Sequence, residues 1–321
     1  MPISEKMRQR RRKYLGSSDI PALMGVSPFQ NAADVWISKT QDLIETPEKK
    51  GHGSPLAVGT YSEAGTHDWA MDQLKEGAVY EGAVTATRNQ FRVKAGTVFA
   101  ANCDAIVNVG GVPTAVLEVK STARTSEWGR PLTDEIPESV LMQVQWQMLV
   151  TEMPEAWVAA MLVTVGPDGK IYGGLTYSLY RVKADPELQE MIEAAALSFW
   201  ADHVETGIMP EDSTPRLDTA ERIRRTPESV RDLKTPAEQN AFEDLSETYL
   251  LANAKKRDAD KRARAAKSKL LAFLGETTSA FTDNYSVEYP ERVRNEYVVS
   301  AATYRVLRVK ARQSSGQETA Q

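Results

Sequence analysis

The chain has 321 residues, of which 41% are hydrophobic and 26% are charged, and its net charge is −5 at pH 7. This length predicts one large domain with an extension, or two domains, and the acidic balance argues against a protein that coats nucleic acid indiscriminately. The single cysteine, Cys103, excludes a disulfide framework and any four-cysteine zinc or iron–sulfur site within one chain. Because no apolar run is long enough to cross a bilayer, we expect a cytoplasmic protein without a membrane partner.

The N-terminal part of the chain is predicted to be mostly helical. Residues 6–13 carry six basic side chains and no acid, which is typical of either a solvated arm or a phosphate contact. A Ser-Ser-Asp sequence at 17–19 would cap a short helix that ends at Gly25, and the N–H groups of that helix end could bind a phosphate. A second helix over residues 58–74 would place Glu63 and His67 on one face.

The stretch 98–121 is predicted to form two hairpin strands, because β-branched residues flank the turn sequence Val-Gly-Gly-Val-Pro at 109–113. Side chains two apart share a face of a strand, so Glu118 and Lys120 would lie with Val116. Asp104, on the preceding strand, could lie beside Glu118. Two carboxylates and a lysine are the minimal set for Mg²⁺-dependent phosphodiester hydrolysis. A plain ion pair at a sheet edge would give the same pattern.

Context decides between these interpretations, because an acid followed two residues later by lysine occurs four times in the chain. The copies that begin at Glu48, Asp168 and Asp232 lie in loops or a charged linker, whereas Glu118 ends an apolar strand. The interpretation as a metal site would be strengthened if the Glu63 side chain pointed at the same two strands. His67 is interpreted as a neighbour of such a site, since Mg²⁺ prefers oxygen ligands.

Residues 122–207 are predicted to complete an α/β domain with a mixed central β-sheet flanked by helices. The loop 122–137 contains Arg124, Trp128 and Arg130, and its aromatic ring could grip a DNA strand end or pack over the core. A helix over 138–152 would have an apolar stripe bordered by Gln143 and Gln147. A hairpin over 156–182, which turns at 166–169, and a helix over 186–207 follow.

The last third is predicted to be an extension of the domain at 1–210. A linker over 211–237 leads to a long basic helix at 238–275, capped by Gly275, and then to a small β element at 276–312 and a disordered tail at 313–321. Along the helix, apolar and alanine residues recur at alternating spacings of four and three, a heptad pattern. The helix could pack on its own domain, contact DNA or join subunits.

Five sequence features occur in the order and approximate spacing of a known family. They are Gly16-Ser17-Ser18-Asp19, Gly59-x-x-x-Glu63, Asp104, Glu118-Val119-Lys120, and Gln143-Val144-Gln145-Trp146-Gln147-Met148 followed by Val150-Thr151. Over residues 10–210 the chain resembles the phage lambda exonuclease and YqaJ-type viral recombinases of the PD-(D/E)XK nuclease superfamily. The resemblance implies a restriction-endonuclease-like core.

The resemblance also implies an activity. Members are Mg²⁺-dependent 5′ to 3′ exonucleases that use two metal ions, for which Mn²⁺ can substitute, and digest one strand of linear double-stranded DNA. The remaining 3′ single strands go to a single-strand annealing partner in phage-type homologous recombination. A ring of three or four subunits, encoded by a phage or prophage and acting in the bacterial cytoplasm, is therefore expected.

Site residues follow from the same resemblance, position by position. Glu63, Asp104, Glu118 and the Val119 carbonyl look like metal ligands, Lys120 like the residue that positions water, and Gln143 like a contact to that water or the phosphate. Ser18 and Arg12 are expected at the phosphate of the cleaved end, with Arg124, Trp128 and Arg130 as further DNA contacts. Cys103 stands where the motif often has proline.

Two other functions fit the sequence. One is a different nuclease on the same core, either a RecB-like repair nuclease or an endonuclease. The other is a non-catalytic DNA-binding scaffold that retains the nuclease core, against which the intact set of Asp104, Glu118 and Lys120 argues.

Overall fold

A computed structural model describes residues 5–44, 55–77, 79–165 and 171–291 of the chain. Helices in these residues are α1 Glu5–Lys13, α2 Ile20–Leu23, α3 Ala32–Thr40, α4 Pro55–Glu76, α5 Glu138–Thr151, α6 Pro186–Phe199, α7 Leu217–Glu221 and α8 Pro236–Leu274. A 3₁₀ turn covers Thr125–Glu127, and α6 continues as π-helix over Trp200–Glu205. No helix in this part of the chain is long and apolar enough to span a membrane.

Five strands form the central sheet in the order β1-β2-β3-β4-β5. They are β1 Val84–Val93, β2 Ala100–Val109, β3 Val112–Thr122, β4 Glu155–Val165 and β5 Ile171–Lys183. Strands β3 and β4 run parallel and the other neighbouring pairs antiparallel. The sheet is therefore mixed, as predicted, and α5 lies in the connection between its two parallel strands.

The predicted turn between β2 and β3 is confirmed. Gly110 and Gly111 have φ angles of 56° and 84°, which side chains other than glycine rarely tolerate. The turn between β4 and β5, predicted at 166–169, lies outside the described residues. One detail of the N-terminal prediction is wrong: Asp19 occupies the N-cap position of α2, but its side chain does not cap the helix. Its carboxylate binds Lys39 Nζ at 2.5 Å and the Gly16 N–H at 2.8 Å.

Two apolar clusters pack on opposite faces of the sheet. One face meets α5 and contains Phe99, Val116 and Trp146, whereas the other meets α4 and contains Leu74 and Leu117. Burial of both faces predicts strands that are apolar on both sides, as β3 is until Glu118. The predicted α/β class, a central sheet with flanking helices and a long C-terminal helix, is confirmed.

Contacts divide the chain into two compact units, Met1–Thr226 and a second that begins at Pro227. The first extends past position 210, because residues 213–224 return to the N-terminal part of the chain. Arg216 N–H donates to Asp34 at 2.9 Å, and the Arg224 guanidinium binds Asp42 at 2.7 Å. The predicted linker thus belongs to the first unit over much of its length.

The second unit consists of α8 and a two-stranded sheet of β6 Ser279–Phe281 and β7 Ser286–Glu288. Thr235 and Glu238 form a reciprocal capping box at the N-terminus of α8, and Gly275 ends the helix with a φ of 59°, as predicted. Residues 292–321, with the rest of the predicted β element and the predicted disordered tail, lie outside the described residues.

Candidate active site

Glu118 and Lys120 lie near the end of β3, on the face that meets α5. The carboxylate of Glu118 is buried and contacts Lys120 Nζ. Gln143, from α5, connects the two groups: its Oε1 accepts a hydrogen bond from Lys120 Nζ at 2.9 Å, and its Nε2 donates to Glu118 Oε1 at 2.6 Å. The three side chains therefore form a closed hydrogen-bonded triangle, which holds the lysine ammonium beside the carboxylate.

Gln147 holds the other oxygen of the same carboxylate. Its Nε2 donates to Glu118 Oε2 at 2.7 Å and to the Asn102 carbonyl at 3.2 Å, and its side chain is completely buried. Sequence reasoning treated Gln147 as a boundary residue of α5. Its separation from Gln143 by four residues, one helical turn, is the signal that both amides reach the same place on the sheet.

Asp104 lies where β2 separates from β3. The paired residues of these strands end at Ala105 and Leu117, and beyond them Asp104 Oδ2 accepts a hydrogen bond from the Val119 N–H at 2.7 Å. The aspartate thus replaces the backbone acceptor that a longer β2–β3 ladder would have provided. Burial, together with the charge of Glu118, raises the pKa of Asp104 well above its usual range, and the Val119 N–H and Lys120 only partly oppose this.

A cleft of about 250 Å³ opens beside Asp104. Its walls are formed by Thr60, Glu63, Ala64 and His67 of α4, Arg88 and Asn89 of β1, and Asp104 and Val119. Glu63 also contributes, as the smallest of the causes, to the raised pKa of Asp104. Glu63 of α4 and Asp104 of β2 therefore line one space, which is the condition under which the sequence favoured a metal site over an ion pair.

His67 is the buried imidazole of this cleft. Its Nδ1 lies 2.9 Å from Asp68 Oδ1, while its Nε2 is buried and has no hydrogen-bond partner among the residues that the structure describes. An unpaired buried nitrogen is costly, so a polar group in the cleft would stabilise it. Apart from its spacing of four residues from Glu63, no feature of the sequence indicates this orientation.

The donors around the cleft suit a hard cation. Glu63, Asp104 and Val119 line the cleft, and Glu118, which does not line it, is close enough to Asp104 to raise the pKa of that carboxyl. All four residues offer oxygen ligands, and a positive ion would stabilise the two neighbouring carboxylates. In the described part of the chain, however, no three acidic, histidine or cysteine side chains lie close enough to hold an ion by themselves. The set fits Mg²⁺, which typically takes one or two carboxylates and keeps several waters.

The five predicted DNA contacts lie elsewhere. Arg12 is exposed and reaches the Thr40 carbonyl at 3.4 Å, and Ser18 is exposed while its carbonyl accepts from Gln30. The Arg124 guanidinium lies over the Phe29 ring at 5.4 Å, and Arg130 pairs with Glu135 at 2.7 Å. The Trp128 ring packs 5.1 Å from that of Tyr180 at the edge of the core, which favours its packing role over a grip on a DNA strand.

Comparison with known proteins relates the N-terminal half of the chain to a family. Residues 6–154 match the model of the YqaJ-like viral recombinase domain. The chain contains a YqaJ-like viral recombinase domain. All of the predicted site residues, from Arg12 to Gln143, lie within this YqaJ-like domain. The chain is also similar to the uncharacterized protein YqaJ of Bacillus subtilis, with 24% identity over 299 residues, which cover 89% of this chain and 82% of the relative.

Solved structures that are similar to this chain include two exonucleases. An alkaline exonuclease from Laribacter hongkongensis has 18% identity and a TM-score of 0.45, and the match covers 64% of this chain and 94% of that one. A phage related exonuclease from Haemophilus somnus has 15% identity and a TM-score of 0.33, with 64% and 85% covered.

Proposed function

We propose that the chain is a divalent-metal-dependent deoxyribonuclease that digests one strand of linear double-stranded DNA from its 5′ end. The observation that carries the proposal is the hydrogen-bonded set of Glu118, Lys120 and Gln143 next to the cleft of Asp104, within a YqaJ-like viral recombinase domain. The 3′ single strand that remains would serve strand annealing in phage-type recombination.

Metal ions would be held by Glu63, Asp104, Glu118 and the carbonyl of Val119. When bound there, Mg²⁺ or Mn²⁺ supplies an activated water at neutral pH and charge compensation on the phosphate, with two ions serving the attacking and leaving oxygens. The raised pKa of Asp104, which burial and the charge of Glu118 cause, supports a site whose carboxylates a bound cation would stabilise.

Lys120 and Gln143 would orient the attacking water. The ammonium group is fixed by Glu118 on one side and by Gln143 Oε1 on the other, so its remaining N–H can point at a water or a phosphate oxygen without further ordering. Gln143 cannot rotate without losing bonds to both partners. A preorganised cation at the place where negative charge develops lowers the barrier to hydrolysis.

Binding of the DNA end would use the exposed cations outside the cleft. Ser18 and Arg12 would contact the terminal phosphate, and Arg124 and Arg130 the backbone, which requires Arg130 to exchange Glu135 for phosphate. A ring of three or four subunits and a single-strand annealing partner, both implied by the resemblance, complete the proposal.

Digestion of end-labelled DNA tests this function. Linear duplex labelled at the 5′ or the 3′ end, with and without a 5′ phosphate, is incubated with Mg²⁺ beside covalently closed circular duplex of the same sequence. We expect early release of the 5′ label, an intact 3′-labelled strand and no change in the circle. Cutting of the circle would instead identify an endonuclease, and binding without cleavage would identify a scaffold.

A further inference from the structure

The long helix α8 presents one continuous stripe of apolar and small residues that includes one lysine, Lys256. We define the α8 stripe as Phe242, Leu245, Tyr249, Ala252, Lys256, Ala259, Ala263, Ala266, Leu270 and Phe273. Successive members are three or four residues apart over more than four heptads, so all of them lie on one side of a helix that is continuous from Pro236 to Leu274.

The large members of the α8 stripe are exposed. Leu245 is 72% exposed and Phe273 is 86% exposed, and Phe242, Tyr249 and Leu270 are exposed as well. Single exposed apolar side chains need no explanation, but a regular row of five on one helix face typically marks an interaction surface. The four alanines between them allow a second helix to approach closely.

We propose that α8 pairs antiparallel with α8 of a second copy of this chain. The α8 stripe is symmetric about a point between residues 257 and 258, so a two-fold axis there matches every member with another. The resulting layers are Phe242 with Phe273, Leu245 with Leu270, Tyr249 with Ala266, Ala252 with Ala263, and Lys256 with Ala259. Aromatic and leucine pairs form both ends, alanines fill much of the middle, and one Lys256 lies in each of the two central layers.

Charge along α8 favours the antiparallel orientation. Residues 236–254 contain four acidic and no basic side chains, whereas residues 255–274 contain eight basic and two acidic ones. Antiparallel pairing lays the acidic half of each helix along the basic half of the other. Parallel pairing would align like halves and bring Lys256 against its own copy. The pairing does not depend on the proposed nuclease activity.

Engineered cysteines test the orientation. Cys103 is buried, so the unmodified chain is the background control. Under mild oxidation, the variant with both Ala252→Cys and Ala263→Cys should form covalent dimers, whereas Ala252→Cys alone should not, because the antiparallel layer joins position 252 to position 263. Cross-linking by Ala252→Cys alone would show parallel pairing, and absence of cross-linking in the double variant would also overturn the proposal.

Matched leucine substitutions test the surface itself. Leu270 lies in the α8 stripe and is 48% exposed, and Leu251 lies off it on the same helix and is 55% exposed. Sedimentation equilibrium of the full chain should give a mass roughly twofold lower for Leu270→Asp than for Leu251→Asp, which should match the unmodified chain. Equal masses would contradict the proposal, and if Leu270→Asp weakened only DNA binding, α8 would be a DNA-contacting arm.

A charge substitution tests the register. The proposed pairing brings Lys255 next to Arg262 of the other copy, so Lys255→Glu turns two repulsions into two attractions. At low salt, the dissociation constant of the dimer should therefore fall by roughly tenfold. Lys261→Glu removes the same charge from the outward face and should not tighten the dimer. A tighter dimer with both variants, or with neither, would contradict this register.

Discussion

Glu118 receives hydrogen bonds on both carboxylate oxygens, from Gln143 and Lys120 on one and from Gln147 on the other. Two glutamines one helical turn apart thus fix the carboxylate in a single orientation. Gln147 has no exposed surface and does not line the cleft, so it acts on the reaction through Glu118. Such supporting contacts commonly matter as much as the groups they orient.

We predict that Gln147→Met lowers the DNA cleavage rate by roughly tenfold or more, because Glu118 loses a donor. Gln145→Met is the matched control. Gln145 is also buried on α5, but it binds the Lys183 carbonyl and the Asp185 N–H instead. Both variants should lose about 1–3 kcal/mol of stability in urea unfolding. Equal cleavage rates after correction for folded protein would remove Gln147 from the catalytic network.

Asp104 carries a carboxylate that the metal-free fold does not favour, because burial and Glu118 both disfavour its ionised form. Asp104→Asn should therefore raise the free energy of unfolding in EDTA at pH 8 by on the order of 1 kcal/mol. A carboxyl group whose pKa is raised by folding destabilises the folded state at pH values above its pKa in the unfolded chain, and has no such effect well below that pKa. The stability gained by Asp104→Asn should therefore disappear as the pH falls toward 4. Thermal unfolding at both pH values measures this, and destabilisation at pH 8 would contradict it.

Strand alternation in the sequence was sufficient to orient the residues of β3. Glu118 and Lys120 share the face of Val116, while Leu117 packs on the other side, as a period of two predicts. Asp104 could only be proposed as a neighbour. The alternation of β2 changes at this residue: Cys103 packs with the α5 face, whereas Ala105 packs with the α4 face.

The neighbouring strand β1 explains why the alternation of β2 changes at Asp104. Arg88 pairs with Ala105 and Gln90 with Cys103, while the intervening Asn89 adopts a positive φ of 54° opposite Asp104. This local irregularity interrupts the ladder and aims a side chain at the cleft, as such features often do near active sites. Asn89 lies in an otherwise regular strand pattern, and nothing in its sequence neighbourhood signals the positive φ.

Helix α5 shows a second limit of sequence patterns. Val140, Val144 and Met148 are buried, as predicted, but Gln145 and Trp146 on other faces of the helix are buried too. The helix lies between the sheet and the helices α2 and α6, so it is enclosed on several sides. An amphipathic stripe shows that one face is buried, yet it cannot reveal a second layer contributed by residues far away in the sequence.

Trp146 should be a major determinant of stability. Its ring is fully buried against Phe99, with centroids 4.6 Å apart, and its Nε1–H donates to the Ala100 carbonyl at 2.9 Å. Trp146→Ala is expected to cost about 3–5 kcal/mol in urea unfolding. Phe281→Ala, which removes an exposed ring in β6, should change stability by less than about 0.5 kcal/mol. A small effect at Trp146 would contradict the packing described for α5.

The chain as a whole combines a YqaJ-like domain with a separate C-terminal unit. Prolines and charges predicted a linker from residue 211, but Arg224 returns to Asp42 and residues 213–224 join the first unit. A contact across about 180 residues leaves no trace in local composition. The heptad pattern of α8 is local, by contrast, and was sufficient to predict that helix. Local patterns thus predicted the fold class and the resemblance supplied the site residues, but neither could predict the unit boundary.

The central claim is that Glu118, near the end of β3, and Asp104 form a hydrolytic centre with Lys120. Its most direct test measures cleavage and binding of end-labelled linear duplex by Lys120→Ala beside Lys94→Ala. Both lysines bind a glutamate and are similarly exposed, at 25% and 28% of the side chain, but Lys94 pairs with Glu193 away from the cleft. We predict that Lys120→Ala loses Mg²⁺-dependent cleavage by at least about a hundredfold while DNA affinity stays unchanged, and that Lys94→Ala cleaves normally. Full cleavage by Lys120→Ala would contradict the assignment of this site.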